Sequence, residues 1–393
     1  MSVSILFLSD SNLSNPILHS QGFPLLMFLN EHKYKTFFAQ IMHENVIDDN
    51  ESKIIDKYKN QINFRKIILH HKFVPNIIDY FIFGTKNILK IIKKENIKII
   101  HARSLFPGLI GLLVKLKYGS NIKLIYDNRG VYIDEGIMQG RWKKNGAKVR
   151  FLRFAEKLLI KKSDQVVVVS NQFKKLLVEK FGSVFVNKIT VIANKTKVPT
   201  HFKVEKRSRF NNSNIFVYSG SAAKWQSIDK IFKLFCSIVK HIDNATLKIV
   251  TYEKEPFINA MSKFPEIERN VSIVSSKFDN VINYLNKASC GILIRENNII
   301  NNVASPLKFG EYLAAGLPVL VSEGIGDTRE IIEKYNVGVI VEQNDYETAI
   351  KKINNLLHKT DINQRCFEVA KKEFNQLDAF KAYKIIYDKL NYE

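Results

Sequence analysis

The sequence predicts an α/β protein with two domains, each built on a parallel β-sheet that helices cover on both faces. The length of 393 residues is large for one core and favours two domains of similar size. Short runs of β-branched and aromatic residues alternate with amphipathic stretches of helical length. These runs are continuously apolar, which is typical of strands buried on both faces of a parallel sheet.

The first half of the chain contains six predicted strands. They lie at residues 3–8, 36–41, 97–101, 122–127, 166–170 and 189–193. Amphipathic stretches predict helices at 76–94, 105–118 and 148–162. A polar, basic segment at 194–214 has almost no periodicity and predicts a linker. We therefore place the first domain at residues 1–195.

The alternation restarts after this linker. Further strands are predicted at 215–220, 245–251, 271–274, 290–294, 317–321 and 337–342, and residues 345–390 are mostly helical. We place the second domain at 196–375 and assign 376–393 to a C-terminal helix that crosses back to the first domain. The two domains are expected to face a cleft, with ligands beyond the carboxyl ends of the strands.

The net charge of +22 at pH 7 favours an anionic partner, which could be a membrane surface, a nucleic acid or a phosphate-rich substrate. No helix-turn-helix, zinc or RNA-binding motif is present, so no nucleic acid is expected. No residue spacing typical of a metal site is visible. Three scattered cysteines favour a reducing compartment. Without a signal peptide or a membrane-spanning run, we expect a cytoplasmic location, with peripheral contact to the inner membrane face as an open possibility.

The stretch SPLKFGEYLAAGLPVLVS, residues 305–322, predicts a helix that leads into a buried strand. Ser305 is a suitable N-cap and Pro306 a suitable first helical residue, while Gly316 suits the position after the helix. The helix N-terminus would point to the carboxyl end of the preceding strand, where its free amides favour a phosphate.

Two charged residues, Lys308 and Glu311, lie in the first turns of this helix. Lys308 could reach a phosphate oxygen, and the Glu311 carboxylate could lean back to accept hydrogen bonds from sugar hydroxyls. The alternative is an i,i+3 ion pair on a solvated helix face, which would carry no function.

This stretch, with GIGDTREIIEKYNVGVIV after it, resembles the donor-site motif of the retaining glycosyltransferases with the two-domain GT-B fold (group 1, family 4). Residues 163–177, 188–195 and 216–221 resemble other parts of the same family. The resemblance implies that the nucleoside diphosphate binds at the helix N-terminus and the ribose at Glu311. The implied contacts at the N-terminus are Ser305, Pro306, Leu307 and Lys308.

The sequence departs from the family pattern at several donor-site positions. An acidic residue that often binds the transferred sugar is replaced by Val303, so nearby amides, Asn301 or Asn302 would have to take its place. After Gly220, Ser221 replaces a common arginine, and Lys224 is the candidate for the lysine that follows. Arg295, at the end of the strand CGILI, is a candidate for the missing positive charge.

In the first domain, two segments follow predicted strands and carry polar residues. In IIHARSLFPG, the match to the family places His101 on the acceptor side and Arg103 near the donor sugar, where a guanidinium beside two phosphates would aid catalysis. In YDNRGVYIDEG, residues 126–136, we expect acceptor-side roles for Asp127, Arg129 and Glu135. The alternatives are a structural histidine and a loop of solvated charges.

Residues 141–162 combine many basic residues with an apolar stripe that includes Trp142, Phe151 and Phe154. A basic helix with an apolar stripe fits an anionic membrane surface. A core helix with a solvated basic face explains the same pattern, and both interpretations stay open.

The resemblance implies a bacterial enzyme that moves a sugar from a UDP- or GDP-sugar to an acceptor hydroxyl with retention. Lys308, Lys224 and Arg103 would stabilise the leaving diphosphate. The expected role is synthesis of a surface polysaccharide such as capsule or O-antigen, on a glycan or lipid-linked acceptor, without a further cofactor. The alternatives are a nucleotide-sugar 2-epimerase of the same fold and a catalytically silent partner of another transferase.

Overall fold

The computed structural model describes residues 3–43, 49–69, 76–119, 121–201, 214–276 and 280–392. The chain divides into two compact units. The first contains Met1–Ile192 and Leu377–Glu393, and the second contains Ala193–Gln376.

The first unit is built on a seven-stranded parallel sheet with the strand order β3-β2-β1-β4-β5-β6-β7. Its strands are β1 (Ser4–Ser9), β2 (Lys35–His43), β3 (Asn63–Leu69), β4 (Ile97–Arg103), β5 (Lys123–Asn128), β6 (Gln165–Val168) and β7 (Ile189–Val191). Its helices up to the boundary are α1 (Phe23–Glu31), α2 (Asp49–Tyr58), α3 (Asn76–Glu95), α4 (Leu105–Tyr118), α5 (Tyr132–Met138), α6 (Ala147–Lys162) and α7 (Asn171–Phe181).

The second unit is built on a six-stranded parallel sheet with the order β10-β9-β8-β11-β12-β13. Its strands are β8 (Asn214–Ser219), β9 (Ala245–Thr251), β10 (Val271–Ser275), β11 (Cys290–Leu293), β12 (Val319–Ser322) and β13 (Gly338–Val341). Its helices are α8 (Ile228–His241), α9 (Glu255–Met261), α10 (Val281–Leu285), α11 (Ile299–Asn302), α12 (Leu307–Ala314), α13 (Thr328–Tyr335), α14 (Tyr346–Leu357) and α15 (Ile362–Glu373). The chain then enters α16 (Gln376–Tyr392), most of which belongs to the first unit.

These two Rossmann-like units confirm the predicted fold class. The strand β3 was not predicted, because its sequence NFRKIIL places Arg65 and Lys66 in the middle of the run. As β3 is an edge strand paired only with β2, these side chains can leave the sheet and pair with acidic residues. Arg65 lies 2.9 Å from Glu95, and Lys66 lies 2.7 Å from Glu51.

The helix α12 is fixed by the backbone hydrogen bonds at its C-terminal end and by the contacts of one tyrosine. After its last residue, Gly316 adopts φ +70°, and the amides of Gly316 and Leu317 bond back to Leu313 and Tyr312. This is the Schellman pattern, and it confirms the predicted position of Gly316. The hydroxyl of Tyr312 accepts a 2.9 Å hydrogen bond from the amide of Ser219 in β8. Gly291 in β11 makes room for this ring, since a Cβ there would lie 2.5 Å from it.

The C-terminal helix α16 is bound to the sheet of the first unit by a buried polar network. Tyr387 on α16 contacts His101 Nδ1, and the other ring nitrogen of His101 lies 3.2 Å from Asp127. The same carboxylate lies 3.4 Å from Arg103 and 3.3 Å from Arg129. Arg129 also donates to the hydroxyl of Tyr383 on α16 at 3.1 Å.

Asp127 is the centre of this network. It is fully buried, and burial alone would raise its pKa. The charges of Arg129, His101 and Arg103 outweigh burial and hold the pKa of Asp127 well below its ordinary value. The carboxylate therefore stabilises the fold above about pH 4, and this contribution is lost as the pH falls.

We predict that Asp127→Asn lowers the free energy of unfolding by about 3 kcal/mol, because it leaves two guanidinium groups in a buried site without a counter-charge. The matched control is Asp134→Asn, which breaks the 2.8 Å pair with Arg153 at a more exposed place and should cost less than about 1 kcal/mol. Urea unfolding of both variants checks this. Equal losses in the two variants would mean that Asp127 does not anchor α16.

Candidate functional site

In the second unit, the strand order reverses between β8 and β11, and this switch point is where parallel α/β sheets bind ligands. Gly220 follows β8 and Arg295 lies just beyond β11 at the same edge. Because α12 connects β11 to β12 in a parallel sheet, its N-terminus also lies at this edge. Several predicted donor-site residues are therefore brought to one place.

Lys308 is held over the end of β8 by two contacts. Its Nζ lies 3.3 Å from the hydroxyl of Tyr218 and 3.4 Å from Oε1 of Gln226. It also lies 4.5 Å from the centroid of the Tyr218 ring. Gly220 is required for this arrangement, because its φ is +144° and a Cβ there would lie 1.9 Å from Lys308 Nζ. Gly220 thus makes room for the ammonium group.

Arg295 is a second cation at this edge, and it is buried. Its guanidinium donates to Oδ1 of Asn301 at 3.3 Å, and its Nε has no hydrogen-bond partner among the described residues. Neither Arg295 nor Lys308 forms an ion pair in the described part of the chain. Burial, and then the charge of Arg295, lower the pKa of Lys308 well below its ordinary value. The site therefore has two cations and no paired anion, which suits an anionic ligand.

Glu311 lies one turn further along α12 and is half-buried. Burial raises its pKa, against the opposing effect of the Lys308 charge. Among the described residues, no ion pair joins Glu311 to Lys308. The structure thus does not contain the surface ion pair that was the alternative interpretation of these two charges.

The start of α12 differs from the prediction in one respect. The helix begins at Leu307, and its N-cap is Pro306, so Ser305 is not the N-cap. The hydroxyl of Ser305 instead accepts a 3.0 Å hydrogen bond from the amide of Asn194, whose side chain donates to the Ser305 carbonyl at 2.7 Å. This pairing fixes the loop that precedes the helix.

The loop after β8 also differs from expectation. Lys224, predicted as a catalytic and donor-binding residue, is exposed, and no described contact joins it to Lys308. Gln226, two residues later, is buried and bonds Lys308. Ser221 is exposed, and its carbonyl accepts a 2.8 Å hydrogen bond from the Tyr218 hydroxyl. Sequence reasoning missed Tyr218 and Gln226, although a tyrosine in a buried strand requires a partner for its hydroxyl.

The position of the missing acidic residue is apolar and closed. Val303 is 3% exposed. Asn301 is fully buried, and its side-chain nitrogen donates to the carbonyls of Trp225 at 3.1 Å and Glu296 at 2.8 Å. Asn301 thus joins the loops after β8 and β11, and its side chain is not free to bind a sugar.

In the first unit, the predicted residues lie at the carboxyl ends of β4 and β5. His101 and Asp127 are fully buried, so neither reaches an acceptor directly, and they support Arg103 and Arg129 instead. Burial lowers the pKa of His101, against the opposing effect of Asp127. Glu135, on α5, lies outside this network and is half-buried.

Asp10 is a carboxyl at this edge that sequence reasoning missed. It follows β1, next to the point where the strand order of the seven-stranded sheet reverses. Burial raises the pKa of Asp10 to about 6. The signal in the sequence was its position directly after the first apolar run.

Two kinds of feature are absent from the described residues. No group of three His, Cys, Asp or Glu side chains is arranged to hold a metal ion. Within the same residues, no helix has the length and apolar composition needed to span a membrane.

Comparison with known families matches both units to glycosyltransferases. Residues 49–195 match the family described as Glycosyltransferase Family 4, and residues 200–373 match Glycosyl transferases group 1. An uncharacterized glycosyltransferase of Haemophilus influenzae is 25% identical over 209 residues, which is 52% of this chain and 55% of that protein. Another, from Methanocaldococcus jannaschii, is 22% identical over 258 residues, 60% of each chain. The chain thus spans only part of the length of these curated relatives.

Solved structures with a similar fold cover nearly the whole chain. A glycosyltransferase from Rickettsia africae has a TM-score of 0.72 at 18% identity and covers 99% of this chain and 98% of its own. HepE from Anabaena, in complex with UDP and glucose, has a TM-score of 0.69 at 12% identity over 98% of this chain and 100% of its own. A putative UDP-N-acetylglucosamine 2-epimerase from Listeria monocytogenes has a TM-score of 0.58 at 12% identity over 98% and 95%.

Identities this low show the fold alone, and each of the two family models matches less than half of the chain. The chain has the GT-B fold.

Proposed function

We propose that this protein transfers a sugar from a nucleoside-diphosphate sugar to an acceptor hydroxyl, with retention of anomeric configuration. The observation that carries the proposal is the pair of cations, Lys308 and Arg295, at the switch point of the second sheet without an anionic partner in the described residues. A diphosphate has the charge and the oxygen acceptors to satisfy both. Retention rests on the family resemblance.

In this proposal, the second unit binds the donor. The diphosphate contacts Lys308, Arg295 and the first amides of α12, and the backbone at Gly220 and Ser221 lies beside it. Glu311 accepts hydrogen bonds from the ribose hydroxyls. As the glycosidic bond breaks, negative charge grows on the diphosphate, and Lys308 stabilises it most directly. Lys224 keeps its proposed catalytic role toward the same charge, and Arg103 keeps the catalytic role that the family resemblance implies.

The donor is proposed to be a UDP- or GDP-sugar, and no further cofactor is required. That the Anabaena structure holds UDP and glucose supports a uridine donor by analogy. The acceptor is proposed to be a glycan or a lipid-linked saccharide used for a bacterial surface polysaccharide. The reaction is proposed to take place in the cytoplasm, at the inner face of the membrane.

A prediction follows for the two charges on α12. Glu311→Ala loses charge-assisted hydrogen bonds, so nucleotide affinity should fall at least about tenfold. Lys308→Ala loses stabilisation of charge that grows during reaction, so turnover should fall more than donor affinity. The measurement uses the nucleotide sugar that gives the largest thermal shift among UDP-, GDP- and CMP-sugars, followed by calorimetric titration of each variant.

Matched controls are Glu333→Ala and Lys334→Ala, which remove the same charges from α13, at positions remote from the switch point. They should leave donor binding unchanged. If Glu311→Ala and Lys308→Ala lose only a few degrees of melting temperature and bind nucleotides like the wild type, the donor site is misplaced.

The membrane contact is proposed to use one face of the first unit, which we call the basic apolar face. On α6, Phe151 is 60% exposed and Phe154 is 64% exposed, among exposed lysines and arginines. The helix α4 packs between α3 and α6. Exposed apolar side chains continue the face on these neighbours, namely Ile82, Phe83, Leu113 and Leu116. Exposed aromatic rings within a field of positive charge suit an anionic lipid surface.

We predict binding to phosphatidylcholine vesicles only when they contain phosphatidylglycerol, with affinity that falls as salt rises. The triple reversal Lys143→Glu, Lys144→Glu, Lys148→Glu should weaken vesicle binding more than about tenfold and leave donor binding unchanged. The double variant Phe151→Ser, Phe154→Ser should weaken it at constant charge.

The matched control is a triple reversal of exposed lysines in the second unit, Lys233→Glu, Lys240→Glu, Lys351→Glu, with the same change in net charge. If it weakens vesicle binding equally, the attraction is a property of net charge and the basic apolar face has no special role. Failure of the wild type to bind anionic vesicles at physiological salt would remove the proposal.

Two other activities share this fold. A 2-epimerase would convert the nucleotide sugar without any acceptor, so formation of a new nucleotide sugar in an acceptor-free incubation identifies it. A silent partner would bind no donor, and the nucleotide-sugar panel identifies that case.

A further inference from the structure

At the carboxyl edge of the first sheet, four aromatic rings come from the beginnings of successive helices. Tyr80 lies near the start of α3, Phe106 near the start of α4 and Tyr132 at the start of α5. Trp142 follows in the loop before α6. Because each helix follows a strand of a parallel sheet, these starts share one edge.

The rings are in mutual contact and form a continuous row. Phe106 lies 6.0 Å from Tyr80 and 5.4 Å from Tyr132, measured between ring centroids. Tyr132 lies 5.7 Å from Trp142. Tyr80 is buried, whereas the other three rings are half-buried. We call Phe106, Tyr132 and Trp142 the aromatic row.

Two carboxyl groups, those of Asp10 and Glu135, belong to the same edge of the sheet. Asp10 follows β1, and its charge, after burial, raises the pKa of Tyr80. Glu135 lies on α5 with Tyr132, and the charge of Arg141 acts on its carboxyl. Burial raises the pKa of both carboxyls, of Asp10 to about 6. Both carboxyls are therefore partly removed from water.

Two cations lie at the Trp142 end. The Arg141 guanidinium is 5.4 Å from the Tyr132 centroid and 5.1 Å from the Trp142 centroid. Lys148 Nζ is 5.3 Å from the Trp142 centroid. Both side chains are exposed, and neither forms an ion pair with another described residue. This end of the row is therefore positively charged.

Two of the residues first expected to contact the acceptor, His101 and Asp127, are not accessible to it. His101 and Asp127 are fully buried in the network with α16. At the same edge, β5 ends on Asn128, whose Nδ2 is buried without a hydrogen-bond partner among the described residues. The protein thus leaves a polar group at this edge without a partner in the described residues.

We propose that the aromatic row is the binding surface for the saccharide of the acceptor, with an anionic group of that acceptor at the Arg141 end. The proposal rests on the proposed transferase function and assigns its acceptor subsite. Sugar rings present C–H faces that stack on aromatic side chains, and hydroxyls at their rims that bond to carboxyls such as Asp10 and Glu135.

The polar groups favour this occupant over an apolar one. A lipid chain or an apolar helix laid on the row would bury Asp10 and Glu135 without hydrogen-bond partners, at a cost of about 1–3 kcal/mol for each group. A saccharide satisfies the carboxyls and the rings together. The basic apolar face, by contrast, has exposed rings on α6 surrounded by cations.

The test uses a printed array of neutral and anionic oligosaccharides and the fluorescently labelled full chain. We expect binding to a subset of glycans, with anionic members preferred. Trp142→Ala and Tyr132→Leu should each lower this binding about tenfold, and Trp142→Phe should retain most of it. Arg141→Gln should lower binding of the anionic glycans only. The control Tyr392→Ala removes an aromatic ring of the same unit that is 88% exposed, and it should change nothing.

Donor binding is measured on every variant as the thermal shift caused by the nucleotide sugar. This measurement distinguishes failure of the proposed function from failure of the acceptor assignment. If no variant and no wild type binds a nucleotide sugar, the proposed function fails. If the donor stabilises all variants but the array shows no glycan binding, or binding that Trp142→Ala and Tyr132→Leu do not change, the acceptor subsite is not the aromatic row. Loss of glycan binding in Tyr392→Ala as well would also overturn the assignment.

Discussion

The second unit is organised around two positive charges that no carboxylate in the described residues neutralises. Lys308 reaches the end of β8 only because Gly220 has no side chain, and Tyr218 and Gln226 supply neutral oxygens in place of an anion. Arg295 is held by the amide of Asn301. Neutral partners orient the cations and leave their charge unneutralised. Such an arrangement is costly in an empty site, and the binding of an anion offsets the cost.

In the first unit, by contrast, a carboxylate lies among the cations. Cations also lie at its carboxyl edge, but Asp127 lies between Arg103, Arg129 and His101, and the tyrosines of α16 complete the network. One carboxylate offsets part of the charge of the two guanidinium groups, and the network with α16 gives structure to this edge. The groups left for a ligand are aromatic rings and two carboxyls whose pKa burial raises. We infer that one unit is suited to a diphosphate and the other to a saccharide.

Much of this could be predicted from the sequence. Prediction was accurate where a local property determines the structure. Examples are Gly316, which the backbone after α12 requires, and the continuous apolar run that forms β5. The stretch from Ser305 to Glu311 resembled a known donor motif. Sequence reasoning was least complete where the contacts of a side chain depend on distant residues. Asp127 pairs with a histidine and two arginines around it, and the buried residue that bonds Lys308 is Gln226. The edge strand β3 was missed, since its two charged residues break the apolar run and pair with Glu51 and Glu95 on the flanking helices.

If Lys308 and Arg295 bind a diphosphate, the binding should be accompanied by the uptake of protons from solution. Burial lowers the pKa of Lys308, and a bound anion should raise it again. Calorimetric titration with UDP or GDP at several pH values between about 6 and 10, in two buffers of different ionisation enthalpy at each pH, measures the protons taken up. We expect net proton uptake that is absent in Lys308→Met, and affinity at least about tenfold above that of the nucleoside monophosphate. Binding without proton uptake at any of these pH values, with equal affinity for monophosphate and diphosphate, would show that these two residues do not form a diphosphate site.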